Sequence, residues 1–167
     1  APPRVGPVVS SEIAYAPRDG IEYVEIYNAS DADIALFAGD DPTRPWALRG
    51  AVNYDFPAGV TLPANGYVVI VGTDPQVVRQ VREIPEGVQV LGPFNGILDD
   101  DGDDVQLVSY HPETHVEYLV DRVAYSNQAP WSLKSILGDE TLNRVSATVY
   151  GNDPANWEFG IAGGTPG

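Results

Sequence analysis

Alternating apolar and polar positions near the start of the chain predict two neighbouring β-strands. Residues 8–15 and 21–28 both follow this pattern, in which successive side chains of a strand point to opposite faces. The turn formers Pro17-Arg18-Asp19-Gly20 separate the two runs. In the second run each face carries apolar residues together with a carboxylate, Glu22 on one face and Glu25 on the other. We therefore expect the second strand to lie inside a sheet, with its charges satisfied by partners.

A single helix is predicted between two later strands. Residues 67–71 form an uninterrupted apolar run, which is typical of a strand buried on both faces. Asp74 is suited to cap a helix, and Pro75 is suited to its first position. The apolar stripe of this helix is expected to comprise Val77, Val78, Val81 and Ile84.

Gly and Pro punctuate the chain at the short intervals that are typical of a β-sandwich. Further strands are expected at residues 31–37, 88–91, 104–110 and 116–125, and residues 140–145 are expected to be a last strand or a loop. Residues 40–54 are expected to be irregular, and 153–167 to be a closing loop anchored by Trp157. This order favours an all-β fold, an antiparallel β-sandwich with one inserted helix. The length suits a single domain over residues 1–167.

The charge balance narrows the classes of partner. The chain has 9 basic and 24 acidic residues, and its formal net charge of −15 opposes binding to nucleic acid phosphates or to anionic lipid. No apolar stretch approaches the roughly 20 residues of a membrane span, so direct membrane insertion is not expected. Cys is absent, which excludes disulfides. Met is absent even at position 1, so we expect the chain to be excised from a larger protein.

A series of short motifs, in a fixed order over residues 8–167, resembles the lamin tail domain family, in particular its bacterial branch. Each motif is weak alone, and their order carries the resemblance. The motifs are Glu12-Ile13-Ala14-Tyr15, the block from Glu22 to Asn28, Phe56-Pro57-Ala58-Gly59, Gly66-Tyr67, the turn from Leu98 to Gly102, the strand from Asp121 to Tyr125, Leu142-Asn143-Arg144, Asp153-Pro154-Ala155-Asn156-Trp157 and Gly164-Thr165-Pro166-Gly167.

The resemblance implies an immunoglobulin-like β-sandwich that acts as a non-enzymatic structural or interaction module of a bacterial secreted or cell-surface protein. Its partners would be other domains of the parent protein, or an extracellular protein or glycan. The chain lacks the basic run of the nuclear members, so a nuclear location is not expected. Two alternatives stay open, namely a carbohydrate- or calcium-dependent binding module and a hydrolase.

Four carboxylates in an acidic turn are the candidate metal ligands. Asp99, Asp101, Asp103 and Asp104 lie within one short stretch around Gly102. Their mutual repulsion favours a cation, and Ca²⁺ prefers oxygen ligands. The spacing does not match an EF-hand loop, and a solvated hairpin turn explains the same composition. Calcium is therefore the one cofactor that the sequence suggests, as an alternative to a plain turn.

Two tryptophans are candidate ligand contacts, because Trp46 and Trp131 lie in Pro-flanked loops where exposed aromatic rings could stack on a sugar. The alternative is that they anchor loops to the core.

The hydrolase alternative depends on Glu12, Glu22 and Glu25, which lie on adjacent predicted strands. The competing interpretation is that Glu12 or Glu25 pairs with a cation such as Arg122 or Arg144, or caps a loop.

Overall fold

The computed structural model describes residues 5–132 and 138–167, and there the chain forms β-strands with two short helices. The strands are β1 (Val8–Ala14), β2 (Tyr23–Asn28), β3 (Ile34–Ala35), β4 (Ala47–Gly50), β5 (Val52–Asp55), β6 (Thr61–Leu62), β7 (Tyr67–Val71), β8 (Gln89–Leu91), β9 (Asn95–Gly96), β10 (Gly102–Tyr110), β11 (Glu117–Ser126), β12 (Glu140–Arg144) and β13 (Trp157–Ala162). Helix α1 spans Pro75–Val81, and a 3₁₀ turn spans Pro154–Asn156.

Two large sheets pack face to face. The six-stranded sheet has the order β13-β12-β1-β2-β7-β8, and its β7–β8 pair is parallel. The five-stranded sheet has the order β11-β10-β4-β5-β9, while β3 and β6 form a small separate ladder. The main core lies between the large sheets, where Ile13, Ile26 and Ile70 of the first sheet meet Leu48 and Leu107 of the second. This arrangement is the immunoglobulin-like β-sandwich that the sequence predicted.

Helix α1 covers part of the outer face of the six-stranded sheet. Asp74 caps it through a hydrogen bond from Gln76 N to Asp74 Oδ1 (2.8 Å), as predicted. Val78 packs with Val69 and Val71 in a second, smaller core, so β7 is buried on both faces, also as predicted.

The predicted apolar stripe of the helix is only half correct. Val78 and Ile84 are buried, but Val77 and Val81 are 48% and 53% exposed. The helix has seven residues, and it buries one residue within its own span, so its apolar stripe is much narrower than the spacing suggested.

Two other expectations were wrong. Residues 40–54 are not all irregular, because β4 and most of β5 lie there and β4 pairs with β10 in the five-stranded sheet. Part of the expected closing loop, Trp157–Ala162, is strand β13, which pairs with β12. Both segments contain a short apolar/polar alternation, Val52-Asn53-Tyr54-Asp55 in the first and Trp157-Glu158-Phe159 in the second, so the strand signal was present but was outweighed by the neighbouring Pro and Gly residues.

A bulge in β1 sets the geometry of the site described next. Ser10 lies opposite Ile26, but Glu12 lies opposite Glu25, so Ser11 is the extra residue on its strand. Such a bulge re-aims the side chains on either side of it. Here it brings two carboxylates to directly opposite positions on neighbouring strands.

Candidate binding groove

Two buried carboxylates lie side by side on the outer face of the six-stranded sheet. Glu12 of β1 and Glu25 of β2 are cross-strand partners, and they are 1% and 4% exposed. Burying like charges together is unfavourable unless donors satisfy them. Neither forms an ion pair with Lys, Arg or His in the part of the chain that the structure describes, so the expected pairing with Arg122 or Arg144 is wrong.

The loop-capping interpretation of Glu12 is the correct one. Its Oε1 atom accepts hydrogen bonds from the Tyr23 hydroxyl (2.8 Å), from the Thr141 hydroxyl and from the backbone N–H of Thr165 (3.0 Å). The Thr165 hydroxyl donates to Oε2 at 3.4 Å. Glu12 therefore holds the end of the chain against the sheet.

Glu25 holds the same part of the chain through a second set of bonds. Its Oε1 atom accepts from the Ser11 hydroxyl (2.6 Å), and its Oε2 atom accepts from Gly167 N–H (2.6 Å). Burial raises the pKa of Glu25 to about 7; the two hydrogen bonds oppose this rise, and the charge of Glu12 adds to it. The carboxyl group thus titrates near neutral pH.

Residues 163–167, called the closing segment below, fit this site because of Gly164. Its φ of +78° lies in the left-handed region, where a side chain is unfavourable. A Cβ atom there would overlap the Tyr23 hydroxyl and the Glu12 carboxylate. Pro166 is buried in the same segment. The terminal Gly-Thr-Pro-Gly motif is therefore explained by close approach to the carboxylate pair.

Beside the closing segment, the outer face of the sheet stays open as a groove. Two adjoining clefts form it, and they share Ser11, Tyr67 and Arg144. Glu12, Glu25 and Thr165 line one end, and Val9, Tyr27 and Val145 line the other. We refer to these clefts together as the outer groove.

Two tyrosines form an aromatic ledge in the outer groove. Tyr27 and Tyr67 face each other across β2 and β7, and their rings stack with centroids 4.6 Å apart at an interplanar angle of 26°. Both side chains are half-buried. Burial raises the pKa of Tyr67, and the charge of Glu25 and the neighbouring Tyr27 add to the rise. Because the two rings are stacked face to face, each covers one face of the other, and a ligand can reach only the second face of a ring, its edge and its hydroxyl.

A buried ion pair supports the opposite wall of the groove. Arg144 Nη1 lies 2.7 Å from Asp121 Oδ2, with side chains 1% and 4% exposed. Arg144 also donates to the carbonyls of Ser10, Ser146 and Val149. Burial raises the pKa of Asp121, although Arg144 and the N–H of Ser10 act in the opposite direction. The guanidinium is thus neutralised and held in place before any ligand arrives.

The structure does not gather the four predicted calcium ligands into one site. Asp104 receives two hydrogen bonds from Arg122, at 2.9 and 3.0 Å. Asp99 and Asp103 accept from N–H groups of the turn itself, and Asp101 accepts from the Asn127 amide. Within residues 5–132 and 138–167, no group of three or more His, Asp or Glu side chains is arranged to hold a metal ion. Calcium binding stays an untested alternative to a plain turn.

The predicted tryptophan contacts fare differently from each other. Trp131 is 8% exposed and belongs to the main core, so the expected exposure of this ring is wrong. The large apolar area of an indole explains why a loop residue packs inward. Trp46 is partly buried against the same core, and its Nε1 atom has no hydrogen-bond partner among the described residues. A ligand contact by Trp46 stays a prediction. Trp157 is an anchor as expected, but at the start of β13: it lies in the main core, and its Nε1–H donates to Gly151 O at 2.7 Å.

The sequence did not single out the aromatic ledge. Alternation in residues 21–28 places Tyr23, Glu25 and Tyr27 on one face, and the structure has them there. Tyr67 joins them because β7 pairs with β2 in one particular register. That register follows from the pairing of distant strands, so local pattern contains no signal for the ledge.

The Lamin Tail Domain model of a protein family matches residues 1–127 of the chain. The match covers β1 to β11, and therefore both carboxylates and both tyrosines of the groove. The remaining strands, β12 and β13, extend the six-stranded sheet beside β1. No curated protein matches the chain. In the described ranges, no helix has the length and apolar character needed to cross a membrane.

Proposed function

The chain belongs to the lamin tail domain family, and we propose that it is a non-enzymatic structural and interaction module of a bacterial secreted or cell-surface protein. Membership of a family of non-catalytic immunoglobulin-like domains supports the first part. The module is proposed to include residues 1–167, because β12, β13 and the closing segment complete the sheet that carries the groove.

The main observation in favour of a non-enzymatic role is how the carboxylate pair is used. A glycosidase needs one carboxyl group at the leaving oxygen and another at the sugar ring or its attacking water. Glu12 and Glu25 instead accept hydrogen bonds from the closing segment and from neighbouring hydroxyls. A pair that is occupied in this way supports a structural role.

The proposed partners are other domains of the parent protein, or an extracellular protein or glycan. The charge of −15 opposes contact with phosphate-rich surfaces, and high negative charge suits a module that stays in solution outside the cell. The open outer groove offers a contact surface beside the closing segment.

Location is tested with an antibody against this chain in the source organism. We expect the antigen in the culture medium, or on intact cells in a form that added protease removes. A cytosolic protein of the same cells is the control, and it must survive the protease treatment. Antigen confined with that control to the cytosol would overturn the proposal.

The non-enzymatic role is tested with chromogenic glycosides and a Glu12→Gln/Glu25→Gln double variant. We expect the unaltered protein to release no more chromophore than buffer does. Turnover by the unaltered protein that disappears in the variant would show that the carboxylates are catalytic, and the proposal would then be wrong.

A further inference from the structure

The outer groove combines the unstacked faces of the Tyr27–Tyr67 pair with uncommitted polar groups. The hydroxyls of Tyr27 and Tyr67 have no hydrogen-bond partner among the described residues, nor does the amide oxygen of Asn143. Ser11 Oγ donates to Glu25 and retains acceptor capacity. These groups lie along β12, β1, β2 and β7, whose spacing gives the groove a width of about 14 Å across the strands.

The charges around the groove select against ionic ligands. Glu12 and the ionised fraction of Glu25 add negative charge that no cation of the described chain pairs, which disfavours phosphates, sulfates and carboxylates. Arg144 cannot offset this, because Asp121 already neutralises it. The donors that Glu12 and Glu25 need come from the protein itself, so they do not require a ligand cation either. An uncharged polar ligand fits best.

The position of the groove selects against an added peptide strand. Strand addition requires a free sheet edge with unpaired N–H and C=O groups. The groove lies over the face of β1, β2 and β7, whose backbones are paired with neighbours on both sides. Recognition there must use side chains, and the available ones are tyrosine rings, hydroxyls and an amide.

We propose that the outer groove binds an uncharged saccharide, with a sugar ring against the unstacked face of one ring of the Tyr27–Tyr67 ledge and its hydroxyls bonded to Ser11, Asn143 and the tyrosine hydroxyls. A sugar ring has an apolar C–H face and a polar rim, and the groove offers an aromatic face with polar groups around it. This inference rests on the proposed interaction role and gives it a ligand class.

The test is titration calorimetry with four neutral hexasaccharides, namely those of cellulose, amylose, N-acetylated chitin and xylan. We expect at least one to bind, and Tyr27→Ala and Tyr67→Ala each to weaken that binding about tenfold, the usual loss for a central aromatic contact. Tyr118→Ala is the matched control, since Tyr118 is a 48% exposed strand tyrosine outside the groove. It should leave the affinity unchanged.

Each variant is melted first to show that it is folded. If Tyr67→Ala lowers the melting temperature by more than a few degrees, Tyr67→Leu replaces it, because leucine keeps the bulk and loses the flat ring. The proposal is overturned if none of the four saccharides binds, or if binding survives in the folded ledge variants. It is also overturned if a lysine-rich peptide binds the groove in a salt-dependent way and the saccharides do not. A failure here leaves the cell-surface location intact, because the antibody experiment measures that separately.

Discussion

The acidic turn and the buried carboxylate pair are two groups of negative charge that the fold treats in opposite ways. Asp99, Asp100 and Asp101 are exposed, and water solvates them. Glu12 and Glu25 are almost completely buried, and six donors of the protein replace the water they have lost. Burial, and not the number of charges in a stretch of sequence, therefore decides where charge has a large energetic consequence.

The largest predicted effect on stability comes from a substitution that prevents the closing segment from packing against the buried Glu12–Glu25 pair. Gly164→Ala places a methyl group against the Tyr23 hydroxyl and the Glu12 carboxylate at a φ of +78°. We expect it to lower the free energy of unfolding by more than about 3 kcal/mol, because overlap adds to backbone strain. Urea denaturation at constant pH measures the change.

Gly59→Ala is the matched control for this substitution. Gly59 has nearly the same φ, +77°, but nothing lies within 4 Å of the added methyl group. Only backbone strain then lowers the free energy of unfolding, by about 1 kcal/mol. Equal losses for the two variants would mean that the carboxylate pair does not hold the closing segment.

The sequence predicted the two-sheet class of the fold, most of its strands and the cap of its helix from local pattern. It also predicted that β2 lies inside a sheet, since both of its faces mix apolar residues with a carboxylate. It did not predict that Glu12 and Glu25 meet, because their opposition depends on the bulge at Ser11. Nor did it find the ledge, because Tyr27 and Tyr67 are forty residues apart and meet through strand register. The pattern of a segment predicts its own secondary structure, whereas the site depends on which residues of distant strands are paired.

The second predicted effect is a dependence of stability on pH that Glu25 causes. Its pKa is about 7 in the folded protein, raised from 4.5, so the folded state binds more protons than the unfolded state between these values. The contribution of Glu25 to the free energy of unfolding is fully present below pH 4.5. It is lost as pH rises through 7, and the loss amounts to at most about 3 kcal/mol. Glu25→Gln should remove this decrease and be more stable than the unaltered protein above pH 7.

The pKa values of Asp121 and Glu22 are also raised, and both groups are present in the unaltered protein and in Glu25→Gln. Their effects cancel when the stability of one protein is subtracted from that of the other at each pH, so the difference reports Glu25. Asp100→Asn serves as the control from the acidic turn. It removes one exposed charge, and we expect a change below about 0.5 kcal/mol at every pH. Parallel curves for Glu25→Gln and the unaltered protein would contradict the prediction.

A smaller effect on stability is expected from breaking the Asp104–Arg122 ion pair at the border of the acidic turn. Burial acts to raise the pKa of Asp104, but hydrogen bonds from Arg122 and Gln106 outweigh it and lower the pKa. The side chains of Asp104 and Arg122 are each more than 30% exposed. Asp104→Asn should therefore cost less than about 1 kcal/mol, and the loss should shrink in 1 M NaCl because salt screens exposed pairs. A loss that is large and independent of salt would show that this pair behaves like a buried one.

The smallest effect is expected from calcium, and it bears most directly on the difference between the two groups of charge. Asp104 is paired with Arg122, and Asp99, Asp101 and Asp103 each accept a hydrogen bond from the protein, so a bound Ca²⁺ would have to displace existing bonds. We expect CaCl₂ to change the melting temperature no more than NaCl of equal ionic strength does. A larger shift in CaCl₂ that Asp101→Asn and Asp103→Asn abolish would establish a calcium site in the turn. The acidic turn would then be neutralised by an ion, in the way that the buried pair is satisfied by the closing segment.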